Sequence, residues 1–147
     1  MVSGNDFKGS RTDPYCGGTI LNEKTILTNK RCFGNPANII KFEDGHISAG
    51  IQLFKDAKWL DNRNHFESEN GQQYVKIEKI VLHPNSEFNA AIVKLIHPLT
   101  FNSRVKPACL PERYFQPDEI AIISGWGHPR SESEGNSHTN LIVMGPS

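Results

Sequence analysis

The chain has 147 residues, with 16 basic and 16 acidic side chains, a formal net charge of zero and a hydrophobic content of 37%. Balanced charge removes the long-range field that draws a protein to nucleic acid or to an anionic membrane, so neither partner is expected. No apolar run approaches the roughly twenty residues of a spanning helix, and Met1 to Ser10 is too polar for a secretory signal, which leaves an upstream leader or a non-exported protein as alternatives.

In chain order, Gly18 to Leu21 and Thr25 to Thr28 read as strands around Asn22-Glu23-Lys24, a hairpin by composition. Ile39 to Phe42 and His46 to Ala49 flank Glu43-Asp44-Gly45, a second hairpin signal. Phe54 to Gly71 is polar and charge-rich and predicts a surface loop or irregular excursion. From Tyr74 to Leu82 the apolar alternation runs through Val75 and Ile77 and restarts at Ile80 and Leu82, an offset that predicts a bulge. The apolar run from Ile92 to Ile96 predicts a strand buried on both faces. Six strands with almost no helix indicate an all-β barrel. His128 to Asn140, without aliphatic side chains, predicts a mobile loop leading to a last strand at Leu141 to Met144.

Several ordered motifs resemble the trypsin-like serine protease family, peptidase S1. Cys16-Gly17-Gly18-Thr19-Ile20-Leu21 and Thr28-Asn29-Lys30-Arg31-Cys32 resemble the family's opening strand and the Thr-Ala-Ala-His-Cys that carries its general base. Asn89-Ala90-Ala91-Ile92-Val93-Lys94-Leu95 resembles the strand that opens with the triad aspartate. Val105-Lys106-Pro107-Ala108-Cys109-Leu110-Pro111 and Ser124-Gly125-Trp126-Gly127 resemble two further family segments, so the likeness spans about Pro14 to Gly127. It implies an antiparallel six-stranded Greek-key barrel over about 14–115, and a linker with the beginning of a second barrel over 116–147. A single helical turn at Asn29 to Arg31 is implied as well.

The chemistry departs from that pattern. Arg31 stands where the family has its histidine, and a guanidinium has donors only and stays protonated, so it cannot take a proton from a hydroxyl. Asn89 stands where the family has its aspartate, and a neutral amide cannot stabilise an imidazolium as a carboxylate does. No Gly-x-Ser-x-Gly nucleophile segment occurs, and no Ile-Val-Gly-Gly precedes Cys16. The chain is therefore expected to be an inactive or truncated homologue with no catalytic residues and no cofactor. A working enzyme hidden by an incomplete gene model, and a decayed product without function, are the alternatives.

By the resemblance, Cys16 and Cys32 form a disulfide closing a loop of about 17 residues, a constraint of roughly 3 kcal/mol, in an oxidising, extracellular compartment. Two reduced buried thiols are the alternative. Cys109, the third cysteine, has no partner in the chain and is either free or bonded to another polypeptide. An orphaned barrel would also leave an apolar face around Ile120 to Ile123 and Leu141 to Met144, so a protein partner is expected there or at Cys109. Calcium is disfavoured, because Ile51 and Gln72 stand where calcium-binding relatives have glutamates; Asp56, Asp61, Glu67 and Glu69 read as a solvated acidic face. None of His46, His65, His83, His97, His128 and His138 shows zinc-ligand spacing, and no metal is expected. Lys24, Lys30, Arg31 and Lys41 are either a basic patch near the cleft or ordinary solvated side chains.

Overall fold

Val75, Ile77, Ile80 and Leu82 carry an apolar pattern whose step lengthens once from two residues to three, and the chain accommodates it in one long bulged strand. The computed structural model describes residues 2–3, 16–33, 45–51, 65–114, 116, 119, 122–125 and 142–144. Its strands are β1 (Val2–Ser3), β2 (Thr19–Asn22), β3 (Thr25–Thr28), β4 (His46–Ala49), β5 (His65–Glu67), β6 (Gln73–Leu82), β7 (Ala91–Leu95), β8 (Ile123–Gly125) and β9 (Ile142–Met144). A turn of 3-10 helix, Lys30–Phe33, follows β3, and no α-helix occurs among the described residues.

The expected all-β architecture is observed. β1, β4, β6, β7, β3 and β2 lie side by side in that order in one antiparallel sheet, and β5 joins it through β6. The first half of β6 pairs with β4 and β5 on opposite edges, while its second half pairs with β7. Between the halves, Ile77 faces Leu95 and Lys79 faces Lys94, which makes Glu78 the extra residue of the predicted bulge. Without that insertion Ile80 and Leu82 would turn to the outer face, because side chains alternate strictly along a regular strand.

The β2–β3 hairpin turns at Glu23-Lys24, where the Lys24 N–H donates to Asn22 Oδ1 at 3.1 Å. Strand β7 differs from its expectation. Ala91, Val93 and Leu95 are buried, but Lys94 is exposed and Ile92 half-buried, so only one face is in the core. Neighbours β3 and β6 saturate the hydrogen-bonding edges of β7 without covering its second face. There Lys94 Nζ donates to Thr25 Oγ1 at 2.7 Å, across a directly opposed pair.

Ile26, Phe33, Ile47, Ala49, Val75, Ile77, Ala91, Val93, Leu95, Leu99 and Val105 form the core. Gln73 is buried among them without loss, since its side-chain amide exchanges two hydrogen bonds with the Thr100 backbone, at 2.6 and 2.8 Å. Gly50 has φ of 73°, and a Cβ there would meet Val105 Cγ2 at 3.0 Å, so this turn needs glycine twice over.

Two strands were not legible as such. β5 falls in the stretch expected to be irregular; its one inward side chain, Phe66, packs at 5.8 Å from the Tyr74 ring, too little apolar content to give a pattern. β1 is two residues long and pairs with β4. The expected last strand is present as β9, pairing with β8 in a separate two-stranded sheet. The strand expected at Ile39 to Phe42, its turn residues Glu43 and Asp44, and the loop expected at His128 to Asn140 lie outside the described residues.

Candidate functional site

Three small polar side chains and a disulfide shape the segment that carries Arg31. Thr28, the last residue of β3, donates from Oγ1 to the Gly17 carbonyl at 2.7 Å and draws the Cys16-Gly17 backbone against the strand end. Asn29 then caps the 3-10 turn: its Oδ1 accepts from the Arg31 N–H at 2.8 Å, and its carbonyl accepts from the Cys32 N–H at 3.1 Å. The Cys16–Cys32 disulfide is formed, with a Cα separation of 6.1 Å. Phe33 sinks into the core and ends the turn.

Asn89, two residues before β7 begins at Ala91, supplies the fourth contact. Its Oδ1 accepts from the same Arg31 N–H at 3.1 Å, and its carbonyl accepts from the Lys30 N–H at 3.4 Å. Lys30 Nζ reaches the other way and donates to the His83 carbonyl at 3.3 Å. The two residues singled out from the sequence, Arg31 and Asn89, are thus neighbours, 58 positions apart in the chain. What joins them is the Arg31 backbone, not its side chain. Asn89 fastens the turn to the head of β7, a task for any short side chain with an acceptor oxygen.

The Arg31 guanidinium makes no hydrogen bond or ion pair among the described residues. With Cys16, Gly17, Asn29 and Cys32 it lines an open depression of about 470 Å³. A cationic donor group beside a disulfide can bind acceptors and anions there, and has no lone pair with which to act as a general base.

The other singled-out residues are dispersed. Cys109 is exposed and outside any disulfide; the adjacent Ala108 N–H donates to the Ile20 carbonyl at 2.8 Å and ties this segment to β2. Leu110, Tyr114 and Ile122 are exposed apolar side chains. Lys24 and Arg31 sit beyond opposite ends of β3 and form no common patch, and Lys41 lies outside the described residues. Ile51 is buried, while Gln72 Oε1 accepts from the Tyr74 hydroxyl at 3.2 Å. Glu67 and Glu69 are exposed; Asp56 and Asp61 are outside the described residues. No group of three or more His, Cys, Asp or Glu side chains suited to a metal occurs among the described residues.

His46 is buried in β4 and His83 belongs to the turn before Asn89, its Nδ1 accepting from the Asn85 N–H at 3.2 Å. His128 and His138 are outside the described residues. His65 and His97 approach to 6.0 Å between ring centroids, a pairing that β5 and the end of β7 create and no local spacing announces. The sequence reading also missed the Asn29 cap, although an asparagine just before a short helical turn is a recognised capping signal.

Comparison with known proteins agrees with this geometry. The family model described as Trypsin matches residues 3–145, and the chain belongs to that family. It is 33% identical to haptoglobin of Pongo abelii over 92% of this chain and 35% of that protein. It is 27% identical to trypsin of Sus scrofa over 87% of this chain and 48% of that protein, and 30% identical to the venom peptide isomerase heavy chain of Agelenopsis aperta over 88% and 49%. A solved structure described as "Structure of GrC" superposes with a TM-score of 0.67 at 19% identity, covering 97% of this chain and 56% of that one. The chain thus spans about a third to a half of the length of these relatives. The fold is the trypsin-like β-barrel type, here with an antiparallel sheet that contains the β2–β3 hairpin and the bulged strand β6.

Proposed function

We propose that this chain is a non-catalytic member of the trypsin family that acts by binding another protein. What carries the reading is Arg31, which by the motif resemblance stands where the family has its general base and which the structure sets beside Asn89. Its backbone is pinned by Asn29 and Asn89, and its guanidinium stands in the open depression. General-base assistance is worth about 10² to 10⁴ in rate, and neither Arg31 nor the neutral Asn89 amide supplies it. Membership of the family leaves this open to decision by the site, since its relatives here carry the names of a protease, an isomerase chain and haptoglobins.

In this reading residues 14–115 are the first barrel and 116–147 the linker and start of a second. The Cys16–Cys32 disulfide and the family's secreted members favour an extracellular site of action. The partner surface includes the exposed stretch around Cys109, Leu110 and Tyr114. Hydrolysis of a panel of arginine, lysine, phenylalanine and alanine esters by the purified protein tests the reading. Rates equal to those of the Arg31→Ala variant and of buffer are expected; turnover that Arg31→Ala abolishes would overturn it.

A further inference from the structure

The depression beside the disulfide is unusual in what its hydrogen-bonding groups have left to offer. The Gly17 carbonyl accepts from Thr28 Oγ1, the Asn29 carbonyl from the Cys32 N–H, and Asn29 Oδ1 from the Arg31 N–H. Behind the lining, both oxygens of Asn89 are likewise engaged by the Lys30 and Arg31 N–H groups. Two side-chain donors are unused beside them: the Arg31 guanidinium and the Asn29 side-chain NH₂ have no acceptor among the described residues. Among the described residues no acidic side chain lines the depression, and the neighbouring cation, Lys30, is turned away to the His83 carbonyl. Gly17 in the lining is exposed, and a Cβ on it would meet nothing within 4 Å.

We infer that this depression is a carboxylate-binding site, in which Arg31 and the Asn29 amide hold an acidic group of the partner polypeptide. A guanidinium fork matches the two oxygens of a carboxylate in a bidentate pair, and the Asn29 NH₂ supplies a further donor at the rim. Among the described residues that line it Arg31 is the one cation, which suits a monoanion and favours a carboxylate over a dianionic phosphate. The turn is held from both sides, by the Asn29 cap and by Asn89, and closed by the disulfide. The base of the Arg31 side chain is therefore fixed before binding, which reduces the ordering cost of the contact. A volume of about 470 Å³ accommodates an acidic side chain or a chain terminus with its adjoining residue. This inference rests on the binding role proposed above and names the chemistry of the partner at that site.

The test uses the folded protein with side-chain ¹⁵N resonances of arginine and asparagine assigned. It is titrated with three peptides: acetyl-Gly-Glu-Gly-amide, acetyl-Gly-Gln-Gly-amide and acetyl-Gly-Gly with a free carboxyl terminus. Saturable shifts of Arg31 Nε–H and the Asn29 NH₂ are expected with at least one carboxylate peptide and not with the glutamine peptide. The two carboxylate peptides separate a side-chain from a terminal source. Arg31→Gln should weaken binding at least about tenfold, as loss of a charge-assisted pair does, whereas Lys79→Gln on an exposed part of β6 should leave it unchanged. Retained binding in Arg31→Gln, equal response to the glutamine peptide, or no saturable shift with any peptide would overturn the inference. Mass spectrometry of the recovered peptides keeps the two readings apart: cleaved peptide would sink the non-catalytic reading alone, and intact peptide without binding would sink the carboxylate site alone.

Discussion

The β3–β7–β6 region and the described residues between Cys109 and Ile122 treat apolar side chains in opposite ways. Val93 and Leu95 are wholly buried, at 0% exposure, between two hydrogen-bonded neighbours. Leu110, Tyr114 and Ile122 expose 62%, 93% and 70% of their surface. Apolar area stabilises a fold only when it leaves water, so the first region contributes a large share of the core's stabilisation. The second contributes little to that stability and presents the kind of surface that favours association. Arg31 lies at the margin of the first region, on a rigid frame, which is where a specific contact is best placed.

Substitutions can break this contrast. Leu95→Ala should cost about 2 to 5 kcal/mol, the range for deleting a buried leucine side chain, while Tyr114→Ala should stay within about 0.5 kcal/mol, as for an exposed position. Denaturant midpoints of the two variants compare the regions directly; equal losses would contradict it. Reduction of the Cys16–Cys32 bridge, or its replacement by serines, should cost about 3 kcal/mol by the loop-entropy model. The exposed thiol of Cys109 sharpens the point, since Cys109→Ser should leave the melting temperature unchanged.

Asn89→Ala removes an acceptor that the Arg31 N–H shares with Asn29, so a loss of about 1 kcal/mol is expected. Asn89→Asp, which keeps an acceptor there, should cost less. Thermal melts of both variants decide whether Asn89 acts as the fastening described. The smallest effect concerns Glu119, whose pKa is lowered by its hydrogen bond from Arg113 and then by the Gln116 N–H. A depressed carboxylate pKa contributes stability that is present above the unfolded-state value and is lost as pH falls through the folded one. Because the pair is solvent-exposed, that contribution is screened. The visible outcome is that Arg113→Ala raises the Glu119 pKa, read from its side-chain carbonyl shift in an NMR titration.

Much of the fold was legible because its residues announce themselves locally. Asn22-Glu23-Lys24 marks a turn, and the step from Ile77 to Ile80 marks the Glu78 bulge. β5 was not legible, since a strand with one inward aromatic carries no period, and its place is set by pairing with β6. β7 was over-read: a row of aliphatics suggested two buried faces, while the lysine within it, Lys94, marked the outer one. Arg31 and Asn89 were found by resemblance, and the structure makes them neighbours. The form of their contact, through a backbone N–H shared with Asn29, depends on local geometry that no residue pattern encodes. The two unused side-chain donors of the depression, on Arg31 and Asn29, were hidden for the same reason: they depend on which contacts the local geometry makes.

The central claim is that Arg31 has replaced base chemistry with binding. Labelling of the native protein by a fluorophosphonate probe, which reacts with activated serines, tests it most directly. The account predicts no labelling above that of heat-denatured protein, and no change with Arg31→Ala. Stoichiometric labelling of the native protein that disappears in Arg31→Ala would contradict it.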